Sequence, residues 1–242
     1  MIVYAVGIGP GNAEHITPCA KQAICQSDVI VGYAGYIDLI RGFVDGKELI
    51  STGMTGEIER CKAAIAEAQK GKNVCVVSSG DAGIYGMASL LYELSERVGC
   101  IDIEVIPGIT AASSAGALLG APLTNDFAVI SLSDLLTPSD VIEKRLDACS
   151  AADMVLCLYN PQSGARKGYL MNACNIILRH KPEDTMCGYV RNAYREKGFI
   201  SRVCTLRELS LADVDMFTTV IVGNSCTHVI NGKLVTSRGY SI

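Results

Sequence analysis

Three times in the first half of this chain a short strand-like segment ends in a glycine turn that opens a helix-like stretch. Ile2–Val6 runs into Gly7-Ile8-Gly9-Pro10-Gly11, and Asn73–Val77 into Ser78-Ser79-Gly80-Asp81-Ala82-Gly83. Ile103–Ile106 runs into Pro107-Gly108-Ile109-Thr110-Ala111. Apolar runs without alternation are strands buried on both faces, and strands separated by helices are parallel neighbours. Ligands of such sheets bind beyond the carboxyl ends of the strands. The recurrence therefore constrains both the architecture, an α/β fold, and the edge where chemistry should be sought.

The rest of the chain fits that frame. Thr17-Pro18 reads as an N-cap followed by proline at the first helical position. Asp28–Val31 reads as a strand, and Glu57–Lys70 as a helix with Ile58, Cys61, Ala64, Ile65 and Ala68 on one face. Tyr85–Arg97 and the small-residue stretch Thr110–Leu119 read as helices. Beyond Leu123–Phe127, strands Ala128–Leu132, Met154–Leu158 and Met186–Val190 alternate with helices Ser139–Cys149 and Arg166–Arg179. The tail is strand-rich, with Ser201–Thr205, Thr218–Val222 and a hairpin at Asn231-Gly232. A length of 242 residues suits one large domain or two small ones. We expect two α/β lobes, residues 1–122 and 123–242.

Composition excludes several classes. Apolar residues make up 49% and charged residues 19%, a globular balance. The net charge of −4 argues against nucleic-acid binding by the overall field. Residues 105–125 carry no charge, but Pro107, Pro122, glycines and hydroxyl residues interrupt them, so a buried loop and helix is expected there and no membrane association. The N-terminus shows no basic segment and no small-residue cleavage site, so no signal peptide is expected. The 11 cysteines form no CxxC pair, and the histidines, His15, His180 and His228, are far apart. No metal site is expected, and the cysteines read as reduced, mostly buried thiols of a cytoplasmic protein.

Taken singly, each turn keeps a bland alternative. Gly7–Gly11 reads either as a tight structural turn or as a ligand loop. A dinucleotide pattern needs glycine at position 12, where Asn12 stands, and Pro10 removes an N–H. A P-loop is excluded because no Gly-Lys-Ser/Thr follows. Asp81 reads as a helix cap or as a group facing a cationic or hydroxyl-bearing ligand. The helix after Gly108 reads as tight packing or as room for a ligand. Tyr159-Asn160 closes a further strand and opens a turn.

Together, and in this order, the three turns resemble the tetrapyrrole methylase family, whose marks are GxGPG after the first strand, a GDP variant after the third, and PGx[TS]A before a small-residue helix. The resemblance runs from Met1 to about Gly223. One departure is Ala82, where many relatives have proline. Longer strings at 78–88, 107–138, 158–166 and 190–198 resemble the branch that methylates carbon-17 of precorrin-3B in cobalamin biosynthesis. Diphthine synthase and the uroporphyrinogen methylases share the turns but not these strings.

The resemblance implies two α/β lobes with a cleft between them for S-adenosylmethionine. It implies cofactor contacts from Pro10, Gly80, Asp81, Ile84, Tyr85, Thr110 and Ala111, and from Tyr159, Asn160, Asn192, Ala193 and Thr219. It also implies methyl transfer to carbon-17 of precorrin-3B or cobalt-precorrin-3 with ring contraction, and a homodimer. Contraction moves protons, and Asp81, Ser131, Asp134 and Glu57 are the candidates for handling them. The substrate is a corrinoid tetrapyrrole with carboxylate arms, and Thr55, Arg41, Arg60 and Arg166 are the candidates for holding it. Two alternatives stay open: a sibling methylase acting at another ring position, and a non-catalytic module that binds a nucleotide or tetrapyrrole.

Overall fold

The computed structural model describes residues 1–99, 101–163, 167–195 and 197–241. The chain divides into two compact units, Met1–Ala111 and Ala112–Ile242.

The first unit contains β1 (Ile2–Gly7), α1 (Pro18–Gln26), β2 (Val29–Tyr33), α2 (Ala34–Leu39), β3 (Glu48–Thr52), α3 (Glu57–Gln69), β4 (Val74–Ser78), α4 (Ala88–Ser95) and β5 (Asp102–Ile106). Its strands form one sheet in the order β3-β2-β4-β1-β5, every pair parallel. β1 shows why apolar runs mark this sheet. Tyr4 and Val6 enter a core layer with α1 residues Ala20, Ala23 and Ile24, while Val3 and Ala5 enter the opposite layer with Cys61, Ala64 and Ala68 of α3. A strand covered on both faces has no polar side, so its sequence does not alternate. Thr17 caps α1 as expected, its hydroxyl accepting from Ala20 N at 3.1 Å, with Pro18 in the first turn.

Three expectations for this unit need correction. The helix expected over Tyr85–Arg97 begins only at Ala88. Tyr85 has a left-handed φ of 54°, and Ala88 N closes the turn on Ala82 O at 3.1 Å. Ile58, expected on the buried face of α3, is exposed, and Arg60 is buried there instead. The elements α2 and β3 lie in a stretch with no element expected.

The second unit contains α5 (Ala111–Leu119), β6 (Gly120–Ala121), β7 (Phe127–Ser131), α6 (Ser139–Ala151), β8 (Val155–Tyr159), α7 (Tyr169–Ile177), β9 (Met186–Arg191), β10 (Ile200–Thr205), α8 (Leu206–Leu209), β11 (Thr218–Val222), β12 (Thr227–Ile230) and β13 (Lys233–Thr236). Its larger sheet is mixed, in the order β10-β9-β11-β8-β7: β7 and β8 are parallel, and β11 runs antiparallel to both β8 and β9. A smaller sheet has the order β12-β13-β6. The division between units falls after the first residue of α5, between Ala111 and Ala112, rather than after residue 122. Ala112, Ala115 and Leu119 of α5 pack with Val155, Cys157, Val190 and Ile221, so this helix belongs to the second core. No described helix is long and apolar enough to cross a membrane.

Candidate functional site

In the first unit the three glycine turns meet beyond the carboxyl ends of β1, β4 and β5. Ile8 N donates to Ser78 O at 2.9 Å, Gly9 N to Gly80 O at 3.0 Å, and Gly80 N to Gly9 O at 2.8 Å. The turns approach so closely that side chains are excluded. A Cβ on Gly7 would stand 2.7 Å from Gly108 N and from Gly80 O, and one on Gly108 would stand 2.6 Å from Gly7 C and strike Gly80 O. Gly108 is required for this space and has no left-handed φ, whereas Gly80 has a φ of 70°.

Asp81 fastens the arrangement. Its Oδ1 accepts from Gly83 N at 2.8 Å, and its Oδ2 accepts from Gly108 N at 2.9 Å. One carboxylate thus ties the turn after β4 to itself and to the turn after β5. Pro10 is buried in the first turn, Ile84 and Tyr85 are exposed in the second, and Thr110 and Ala111 are half-buried in the third. Gly80 lies against Thr110 Cα and Ala111 N at 3.7 Å. The site residues expected in this unit for the cofactor therefore stand on three turns that hydrogen bonds and backbone packing join.

The proposed substrate residues of this unit fare differently. Thr55 is exposed in the turn after β3, on the same sheet edge but at its outermost strand, and Glu57, a candidate for proton handling and not for substrate binding, is half-buried as the first residue of α3. Arg60 is 3% exposed, and its guanidinium donates to Thr52 Oγ1 at 2.9 Å, to Gly53 O at 2.9 Å and to Met87 Sδ at 3.7 Å. Those bonds anchor the turn over residues 53–56, so an open clamp for a ligand carboxylate is the wrong description of this side chain. Arg41 is exposed after α2 and pairs with Asp38 at 2.8 Å. Arg166 lies outside the described residues.

In the second unit the carboxyl ends of β7, β8 and β9 share an edge with the start of β11. Ser131 pairs in register with Tyr159, and Arg191 with Thr218. Ser131 Oγ accepts from Asn160 Nδ2 at 2.9 Å and from Ser133 N at 3.3 Å. The Tyr159 hydroxyl accepts from Ala112 N at 2.6 Å, and the Tyr169 hydroxyl donates to Asp134 Oδ2. Asn192 N donates to Phe217 O at 3.1 Å and its Nδ2 to Gly198 O at 3.3 Å. Ala193 packs against the core, and Thr219 is buried. Asn160, Asn192 and Tyr194 all have left-handed φ, of 52°, 51° and 55°. Such conformations are uncommon outside glycine and cluster where a fold holds loops for function.

Sequence reasoning gave no separate role to Gly86, Met87 or Tyr194, which lie within the strings 78–88 and 190–198, and it missed Phe217. A Cβ on Gly86 would stand 2.6 Å from Ala82 C, and Arg195 lies over the Phe217 ring at 5.7 Å. The pair Asn192 and Tyr194 left a trace only in Asn192, since asparagine tolerates the left-handed region.

Glycine turns at the strand ends of a parallel sheet characterise the first unit, and a mixed sheet with left-handed asparagines beyond its strands characterises the second. Residues 2–210 match the family described as Tetrapyrrole (Corrin/Porphyrin) Methylases, and this chain belongs to that family. Within it, the chain is 47% identical to a protein of Salmonella typhimurium named probable cobalt-factor III C(17)-methyltransferase, over 100% of both chains. It is 45% identical to the cobalt-factor III methyltransferase of Priestia megaterium, spanning 98% of this chain but only 45% of that longer protein. Among solved structures, the methyltransferase CobJ superposes with a TM-score of 0.90 at 33% identity, covering 98% of this chain and 99% of that one.

Proposed function

We propose that this chain transfers a methyl group from S-adenosylmethionine to carbon-17 of a corrinoid macrocycle, cobalt-factor III, with contraction of the ring, in cobalamin biosynthesis. The observation that carries the reading is the end-to-end likeness to the Salmonella protein of that name. Precorrin-3B and cobalt-precorrin-3 are the related substrates against which that choice is tested.

The chain's own residues suit a donor that carries a sulfonium. The turns at Gly80 and Gly108 put backbone, not side chains, at the sheet edge, which allows a ligand to approach main-chain groups closely. We assign Pro10, Gly80, Ile84, Tyr85, Thr110 and Ala111 of the first unit to the donor. Tyr159, Asn160, Asn192, Ala193 and Thr219 of the second unit are assigned to its adenosine. S-adenosylmethionine, when bound, supplies a methyl group on a sulfonium that leaves as a neutral thioether.

The chain's main contribution to that transfer is alignment and exclusion of water, effects that reach about 7–11 kcal/mol in well-oriented reactions. The macrocycle carbon is already nucleophilic, so methyl transfer needs no nucleophile–base constellation from the protein. Contraction does move protons. Ser131, Asp134 and Glu57 are the groups we assign to that work. Thr55 and Arg41 are assigned to the carboxylate arms. We also take the chain as a cytoplasmic homodimer with an interface of about 1,000 Å² or more, which light scattering at micromolar concentration tests.

The deciding experiment supplies methyl-labelled S-adenosylmethionine with cobalt-factor III, precorrin-3B or cobalt-precorrin-3, and identifies the product by mass and NMR. Label at carbon-17 of a contracted ring is expected. Label at another carbon makes the chain a sibling methylase. Binding without transfer makes it a non-catalytic module.

A further inference from the structure

Asp81 is the one carboxylate seated among the three glycine turns, and its two oxygens are both engaged by backbone. Gly83 N lies 2.8 Å from Oδ1 and Gly108 N lies 2.9 Å from Oδ2. The second of these bonds joins positions 27 residues apart in the chain. It is a side-chain tie between the turn after β4 and the turn after β5, where bare backbone also packs closely at Gly7, Gly80 and Gly108. Hydrogen bonds to an ionised acceptor are roughly twice as strong as neutral ones.

We propose that Asp81 is a positioning residue: its carboxylate splints the turns after β4 and β5 so that their main-chain groups are preorganised for the methyl donor, and it moves no proton in the reaction. This rests on the assignment of those turns to the donor. The chemistry follows from the two bonds. A carboxylate that shuttled a proton would have to carry it on an oxygen that is accepting a backbone N–H, weakening the tie at the step that needs alignment most. An acceptor that takes no part in proton transfer keeps the turns fixed.

The turn it stabilises also needs the help. Tyr85 holds a left-handed φ of 54° four residues on, and Gly80 one of 70° just before. Non-glycine residues in that region are strained and persist only where surrounding structure over-determines them. The Gly83 N bond to Asp81 closes the bend between these two points. Without the carboxylate the turn gains alternatives, and the donor must then select the competent one, which weakens apparent affinity by the fraction populated.

The test compares wild type, Asp81→Asn and Asp81→Ala. It measures S-adenosylhomocysteine affinity by calorimetry, kcat and KM for the donor, the pH profile of kcat, and thermal unfolding. The expected result is a loss of S-adenosylhomocysteine affinity of at least tenfold in Asp81→Ala and a smaller loss in Asp81→Asn, whose remaining oxygen accepts one of the two N–H groups. The KM for the donor should rise in step, while kcat at saturating donor stays within about threefold and its pH profile does not move. If Asp81→Ala does not fold, Asp81→Asn alone carries the comparison. The proposal is overturned if both variants bind S-adenosylhomocysteine within twofold of wild type. It is equally overturned if kcat collapses at saturating donor or its pH profile shifts. Wild type that fails to bind S-adenosylhomocysteine would instead overturn the donor assignment on which the proposal rests.

Discussion

A single added carbon at Gly108 tests the claim that bare backbone builds the candidate site. In Gly108→Ala the new Cβ stands 2.6 Å from both C and O of Gly7 and strikes Gly80 O. Ordinary contacts need about 3.5–4 Å, so the turn after β5 must retreat by roughly 1 Å. Neither neighbour can give way freely, because Gly80 is paired with Gly9 by bonds of 3.0 and 2.8 Å. Overpacking of this kind costs about 1–3 kcal/mol, and stretching the Asp81 bond to Gly108 N adds about 1 kcal/mol. We expect a total of about 2–4 kcal/mol in urea unfolding, together with a loss of S-adenosylhomocysteine affinity of at least tenfold. Gly53→Ala is the control: its Cβ meets nothing within 4 Å, and its φ is not left-handed. It should change stability by no more than about 0.5 kcal/mol. A Gly108→Ala protein as stable as that control, with unchanged affinity, would refute the reasoning.

Other consequences follow from the same geometry. Arg60→Met removes the donors that hold Thr52 and Gly53, so limited proteolysis should cut residues 53–56 faster, with a loss of about 1–3 kcal/mol; Thr52→Val, which removes one acceptor, should show a weaker form of both effects. At Asp153, burial alone would raise the carboxyl, but hydrogen bonds from Ser225 and Lys181 and the Lys181 charge outweigh it and hold the group below the usual range. A depressed folded value means that the stabilisation is complete above the ordinary carboxylate range and drains away as pH falls through the lowered value. Asp153→Asn should therefore lose stability at neutral pH and show less of it to lose on acidification, measured by urea unfolding from pH 7 to pH 3. Burial also pushes the thiols of Cys61 and Cys204 up to about 11 and those of Cys157 and Cys174 up to about 12. Alkylation of the native protein at neutral pH, mapped by mass spectrometry, should leave these four unlabelled while the exposed Cys19, Cys25 and Cys226 react.

Much of the fold is legible because two-sided burial and glycine punctuation are both local signals. β1 and β4 announce themselves as unbroken apolar runs, and Thr17-Pro18 announces α1 by the chemistry of its cap. β3 and α2 escape for the opposite reason. Glu48–Thr52 is an edge strand, mostly exposed and without an apolar run, and its place comes from the register that β2 offers it. Ala34–Leu39 is too short to show helical periodicity, and Ile37 alone is buried in the core. The late start of α4 is set by the left-handed Tyr85, a conformation that no propensity of tyrosine foretells.

The candidate site divides along a similar line. Glycines at strand ends can be read from sequence, but what each one does cannot. Gly80 needs its φ, while Gly7 and Gly108 need the space that a partner far along the chain would otherwise take. Arg60 shows the limit most clearly. A charged residue near the start of a helix reads as solvated, yet Arg60 falls one turn before Ala64 on the buried stripe of α3, and its charge is met by neutral acceptors from the turn ahead of the helix. Asp81 shows the converse. Its spacing to Gly83 is visible as a local turn, but the bond to Gly108 crosses from one strand end to another and exists only because β1 holds β4 and β5 on either side of it. A carboxylate at a strand end therefore cannot be sorted from sequence into cap, ligand contact or proton carrier. The sheet order decides which backbone N–H groups it meets, and here it meets two.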